Sequence, residues 1–214
     1  MKSSMYAVVA LPSMNTGSLM IALCKGIVVL IPRIKNSLRA RYRGNANFGT
    51  GTLAMRLWIY AIGHMRGTPE GALCEDFCDR ARKMGRNMGF SAVALEELPV
   101  SKHRDSDLRM KDEAERLAAR LPDGAHVVLL DARGKGMTSE DFAEMLGSLR
   151  DVGTKDLAFV IGGPDGLAAL PGKKAGRSLA FGPQTWPHLL ARALLTEQIY
   201  RALTILAGHP YHRA

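Results

Sequence analysis

The sequence predicts an α/β fold, a mainly parallel sheet with helices on both faces. Three observations lead there. From Met55 onward, short apolar runs alternate with segments of helical periodicity, the order that builds parallel strands joined by crossover helices. Residues 157–161 are wholly apolar and residues 125–130 are apolar except for His126, as in strands covered on both faces. Three of the runs end in glycine-bearing turns, and in open α/β sheets ligands bind at the carboxyl ends of strands.

Each element follows from local pattern. Residues 55–62 are rich in Leu, Trp, Ile and Tyr and read as a strand. Residues 69–88 read as a helix, with Leu73, Phe77, Ala81 and Met84 at helical spacing. Residues 92–98 are a second strand, 105–121 a charged helix and 125–130 a third strand. Thr138 starts the next helix, with Asp141 in the capping-box position and Phe142, Met145, Leu146 and Leu149 on one face. Residues 157–161 and 179–181 are the last strands. Residues 187–207 form a long final helix, whose first turn tolerates Pro187. No internal repeat or low-complexity tract interrupts the pattern.

The 214 residues suffice for one sizeable core or two small ones. The formal net charge of +9 suggests a polyanionic partner. Its distribution narrows that reading. Residues 1–54 hold seven basic residues and no Asp or Glu, which leaves 22 Lys and Arg against 20 acids in the rest. Any nucleic-acid surface on that remainder is therefore a local patch. Residues 19–32 are apolar but interrupted by Lys25 and shorter than the roughly 20 residues of a spanning helix, so no membrane segment is expected. Thr16 or Ser18 could cap a short helix there, and residues 44–52 read as a Gly/Asn/Thr-rich linker. Three readings of the extension compete: translation beginning at Met55, an acid-free targeting segment, or a basic arm that touches RNA. The first is adopted, because a self-contained pattern opens at Met55. Cys24, Cys74 and Cys78 make neither a disulfide framework nor a metal set.

The distinctive strand ends are Leu130-Asp131 with the following Ala132-Arg133-Gly134-Lys135-Gly136, Ile161-Gly162-Gly163-Pro164-Asp165-Gly166, and Phe181-Gly182-Pro183-Gln184-Thr185-Trp186. Glycine there lets the backbone approach a ligand. A plain tight turn is the alternative for Gly162-Gly163-Pro164. The glycines match neither the dinucleotide fingerprint nor a P-loop. On the final helix Arg192, Thr196 and Tyr200 form one polar stripe and Glu197, Arg201 and Thr204 another, either a solvated face or a polar wall beside a ligand. His188 lies in the first turn, where the helix dipole disfavours a protonated imidazole. The chain then ends on Gly208-His209-Pro210-Tyr211-His212-Arg213-Ala214. A terminus of ring, imidazole and guanidinium suits stacking on bases and binding phosphate.

Ile161-Gly162-Gly163-Pro164, Thr185-Trp186-Pro187-His188, Glu197-Gln198-Ile199-Tyr200-Arg201-Ala202 and Pro210-Tyr211-His212-Arg213, in that order, resemble the bacterial 23S rRNA (pseudouridine-N3) methyltransferases. These are small members of the SPOUT class, and the resemblance covers residues 55–214. It implies a C-terminal trefoil knot, a cytoplasmic homodimer, and S-adenosylmethionine held by Leu130, Gly162, Gly163 and Phe181, Gly182, Pro183, Gln184, Thr185 and Trp186. It implies methylation of N3 of the pseudouridine at position 1915 in the usual rRNA numbering, with the large subunit or whole ribosome as partner and no metal. His188, Glu197 and His212 are then candidates to take the N3 proton. Arg192, Arg201 and Arg213 suit phosphate or developing negative charge, and Tyr211 or Tyr200 could stack on the base. Residues 1–54 and the basic loop 170–174 have no family counterpart. Two other classes fit the composition: a non-catalytic ribosome-binding factor using the basic arm, and an α/β nucleotide-binding enzyme acting on a non-RNA substrate.

Overall fold

The computed structural model describes residues 19–24, 27–32, 54–173 and 175–213. The chain divides into residues 1–44 and 45–214. In the first unit β1 (Leu19–Cys24) and β2 (Ile27–Pro32) pair as an antiparallel hairpin, Leu19 opposite Pro32. Ile27, Val28, Val29 and Ile31 favour that extended backbone, and the stretch forms no short helix. Thr16, Ser18 and the linker at 44–52 lie outside the described residues.

The second unit is built on five strands, β3 (Met55–Ile62), β4 (Phe90–Leu98), β5 (His126–Gly136), β6 (Asp156–Ile161) and β7 (Ala175–Ala180). They lie in the order β4-β3-β6-β5-β7, and every pairing is parallel. The helices are α1 (Pro69–Gly85), α2 (Ser106–Arg120), α3 (Ser139–Asp151) and α4 (His188–Ala207). On one face of the sheet Leu57, Ile59, Phe159 and Val128 meet α1, α3 and α4 through Ala81, Phe142, Leu146, Leu195 and Leu203. On the other, Tyr60, Ile62, Ala158 and Val160 meet Ala114, Leu117 and Ala118 of α2. Each fully buried Leu, Ile or Phe contributes roughly 1.5–3 kcal/mol by leaving water. Helices therefore cover both faces, as the alternation predicts, and β6 at the centre is buried at all six positions.

Three helices begin at capping side chains. Thr68, Asp105 and Thr138 accept the backbone N–H of Gly71, Leu108 and Asp141, each satisfying a donor the helix leaves free. The helix expected over 69–88 stops at Gly85, and Arg86–Met88 is a short 3-10 turn closed by Gly89 at φ 79°. The last strand is longer than expected, because edge residues Gly176, Arg177 and Ser178 extend it. Among the described residues no helix is long and apolar enough to cross a membrane.

Candidate active site

The parallel register brings the carboxyl ends of β5, β6 and β7 together, since Leu130 lies beside both Ile161 and Leu179. Between the loops that leave them opens a cleft of about 1040 Å³. Leu130, Gly162, Gly163, Phe181, Gly182, Gln184, Thr185 and Trp186 all line it. Pro183, expected with them, is exposed in the same loop but is not among the lining residues. That loop is closed by Trp186, whose indole Nε1–H donates to the Phe181 carbonyl at 3.1 Å, and is turned at Gly182, φ +99°.

The glycines at the end of β6 have a tighter local reason than ligand approach. The Gly166 N–H donates to the Gly163 carbonyl at 3.0 Å. A Cβ on Gly162 would lie 2.3 Å from the Gly166 carbonyl oxygen, and one on Gly163 would lie 2.8 Å from Glu113 Oε2. The turn thus folds against itself and against α2, and its outer surface forms the cleft wall. The same logic explains β5. The expected loop after Asp131 is instead a shift in register within the strand, which resumes as Lys135 beside Leu179 and Gly136 beside Ala180. Gly134 permits this, because a Cβ there would sit 2.8 Å from the Leu179 backbone.

His188 is the first residue of α4 and lines the cleft. Burial, and then the nearby Arg192 charge, lower its pKa from the ordinary value. The direction is that expected from the helix terminus, but its causes are desolvation and a neighbouring cation. Arg192 itself is fully buried. Its Nη2 donates to the Ile62 carbonyl at 2.8 Å, and its Nη1 to the Gly63 carbonyl at 3.1 Å and to Glu97 Oε1 at 2.6 Å. Thr196 and Tyr200, on the same stripe, are buried as well. This stripe is neither a solvated face nor a ligand wall. It locks α4 to the ends of β3 and β4, and Arg192 is not available to phosphate.

The remaining candidates gather elsewhere. Gly208 at φ 66° ends α4 and turns the tail back along it. Arg201 donates to Glu197 Oε1 from Nε (2.9 Å) and Nη2 (2.5 Å), and the Tyr211 hydroxyl donates to the same oxygen at 3.1 Å. The Arg201 guanidinium lies 4.9 Å from the Tyr211 ring centroid, and Tyr211 meets Tyr200 edge-on at 4.8 Å. Burial and the Glu197 charge raise the Tyr211 pKa, which keeps the phenol a donor. His212 Nε2 lies 2.9 Å from Glu140 Oε1 at the start of α3, and Arg213 is exposed. At 1.5 Å per residue, Glu197 and Arg201 lie roughly 13–20 Å along α4 from His188. Within one chain, then, the tail cluster and the cleft are separate.

The sequence carries no signal for Met110, which reaches the cleft from α2. Asp165, in the glycine turn after β6, is held to α2 by Arg109 at 2.5 Å. Gly63, φ +92°, lies against His188, whose Nε2 would be 3.3 Å from a Cβ there. Only tertiary packing reveals these. A second hollow of about 590 Å³ shares Phe181, Gly182 and Trp186 with the cleft and reaches Gln198. Gln198 donates to Glu197 Oε2 at 2.8 Å and so joins that hollow to the tail cluster.

A family model described as "Predicted SPOUT methyltransferase" matches residues 55–212. A protein of Bradyrhizobium sp. (strain ORS 278) named ribosomal RNA large subunit methyltransferase H is 48% identical over 160 residues, which is 75% of this chain and 99% of that protein. Proteins of the same name from Brucella anthropi, 45% identical, and Rhodopseudomonas palustris (strain HaA2), 48% identical, are each matched over 75% of this chain and their full length. The solved SpoU methyltransferase AviRb of Streptomyces viridochromogenes, in complex with AdoMet, is 14% identical at a TM-score of 0.31 over 81% of this chain and 67% of that one, too loose a likeness to bear on the site. From its matched residues and its near-complete coverage of these relatives, the chain belongs to the SPOUT methyltransferase family.

Proposed function

We propose that this protein transfers a methyl group from S-adenosylmethionine to N3 of the pseudouridine at position 1915 of 23S rRNA. It does so as a cytoplasmic homodimer acting on the assembled ribosome. One observation supports this above all: in a chain of the SPOUT methyltransferase family, three strand-end loops converge on one cleft that also holds His188, whose pKa burial lowers. The name borne by the relatives supports the rRNA substrate.

The cleft residues fit the cofactor. Leu130, Ile161 and Leu179 offer apolar walls to a flat base, and the backbone of the 181–186 loop offers polar groups to a ribose. When bound, S-adenosylmethionine supplies a methyl group already activated on a sulfonium. The chain's own groups must bind, orient and remove one proton. His188 is the base in this reading, because among the described residues it has no hydrogen-bond partner and it faces the cleft. Glu197 is engaged by Arg201 and Tyr211, and His212 by Glu140. Tyr211, Arg201 and Arg213 then belong to substrate recognition, by stacking and by pairing with phosphate. Their distance from the cleft of the same chain supports a site completed across the dimer. Leu190 and Trp186, exposed beside the cleft, suit that contact.

Labelled methyl transfer to ribosomes, followed by nucleoside digestion, is expected to yield N3-methylpseudouridine alone. Label in any other nucleoside would refute the assignment. Mixing a chain lacking residues 211–214 with a full-length chain carrying Gly163→Val is expected to restore activity that neither has alone. Absence of complementation in a mixture shown to contain heterodimers would place the tail's action within one chain.

A further inference from the structure

The cations of the second unit are not used evenly. Arg56, Arg80, Arg82, Arg109, Arg116, Arg120, Arg133, Arg192 and Arg201 each face a carboxylate. Arg66, Lys102, Arg104 and Lys111 are exposed and, among the described residues, have no acidic partner. These four occupy one region. Arg66 lies in the loop after β3, Lys102 and Arg104 in the loop after β4, and Lys111 one residue past Met110 of the cleft wall. The two strands end side by side, Ile62 beside Leu98.

Neighbouring contacts hold these loops against the cleft. The Met65 N–H donates to Glu97 Oε1 at 3.1 Å, which also accepts from Arg192. The Ser101 N–H donates to Glu113 Oε1 at 2.8 Å, and the other oxygen of Glu113 backs Gly163. Arg109 bonds the His103 carbonyl at 2.7 Å while pairing with Asp165 of the glycine turn. The nearest acids are largely committed: Asp105 caps α2, Asp165 faces Arg109, and Asp112 pairs with Arg116. Asp107 and Glu115, exposed on α2 four residues to either side of Lys111, and Glu70 in the first turn of α1 are the exceptions. The ridge thus keeps a local positive charge in a unit that is otherwise close to balanced.

We infer that this ridge, Arg66, Lys102, Arg104 and Lys111, is where the phosphate backbone of the substrate RNA docks, on the β3–β4 side of the cleft. Unpaired, solvated cations on anchored loops and on α2 suit a polyanion that must be bound without base readout. The reactive base is left to the cleft and to the tail. The inference rests on the rRNA reading for its RNA, but it is separable from the chemistry.

The test uses the full chain and purified ribosomes. Binding is measured across a salt series, beside methyl transfer and S-adenosylmethionine affinity. The variant R66Q/K102Q/R104Q/K111Q is compared with K83Q/R86Q/K155Q, which removes three exposed cations from the opposite end of the sheet. The ridge variant is expected to lose at least tenfold in ribosome affinity at moderate salt. Its slope of log affinity on log salt should shrink by about 3, at roughly 0.7 per phosphate contact on single-stranded RNA. Cofactor affinity and turnover at saturating ribosome should stay within twofold of wild type. Equal losses in the two variants, or a ridge variant within twofold of wild type, would overturn the inference while leaving the methyl transfer reading intact. Ribosome binding lost in the ridge variant, from a wild type that transfers no methyl, would uphold the ridge and sink the chemistry instead. Failure of the wild type to bind ribosomes at all would overturn the ridge.

Discussion

Arg192→Met removes a guanidinium that is fully buried and keeps a side chain of similar length. Three contacts go with it: to the Ile62 carbonyl at 2.8 Å, the Gly63 carbonyl at 3.1 Å and Glu97 Oε1 at 2.6 Å. Breaking a buried ion pair from one side costs about 3–5 kcal/mol, because the stranded partner stays desolvated. Two terms reduce that here. Glu97 is 22% exposed at its side chain and keeps the Met65 N–H. Burial already works against the charge of Arg192, lowering its pKa despite the Glu97 attraction. The expected loss is therefore at the low end, about 3 kcal/mol. Urea unfolding of the full chain at fixed protein concentration reads it as a shift in midpoint with unchanged slope. Glu97→Gln keeps a neutral acceptor and should cost less. The double variant R192M/E97M should lose less than the sum of R192M and E97M, since the two groups form one network. A loss below about 1 kcal/mol for R192M, the range of an exposed ion pair, would refute the clamp.

Three further outcomes follow from the site. Gly162→Ala places a Cβ 2.3 Å from the Gly166 carbonyl oxygen, so calorimetry should find cofactor binding weakened at least tenfold; affinity within twofold of wild type would show that the turn yields freely. His188 has a folded pKa below its ordinary 6.5, so the unfolded chain binds its proton more readily; its share of stability is complete above pH 6.5 and declines as pH falls through the folded value. As the base it should give a kcat/KM plateau that extends below pH 6.5 and a falling limb only as pH drops through its lowered folded value, and His188→Gln should remove that limb and lower kcat about 100-fold or more; an unchanged profile would acquit it. Deleting residues 211–214 should abolish turnover while leaving cofactor affinity unchanged, and unaltered turnover would remove the tail from the site.

Periodicity sufficed for the strands and helices of residues 55–213, because apolar spacing and burial are two views of one constraint. The cleft was legible too, since glycine at three strand ends marks where a parallel sheet opens. What could not be read was the partner of each polar group. Arg192, Thr196 and Tyr200 look alike on a helical wheel whether they face water, ligand or core. The acceptors that decide the matter lie as far as 130 positions away in sequence. Gly134 and Gly162 were recognised as special for a ligand's sake, and they are needed first by neighbouring backbone. The tail's aromatic and basic character was plain, but the chain's own Glu197 and Glu140 hold it.

The central claim is met most directly by methyl transfer from labelled S-adenosylmethionine to two matched ribosome preparations, one carrying pseudouridine at position 1915 and one carrying uridine there, using the full chain and residues 55–214 alone. Strong labelling of the first and weak labelling of the second by both chains is the predicted result. Equal labelling of the two preparations, or none of either while the cofactor still binds, would contradict it.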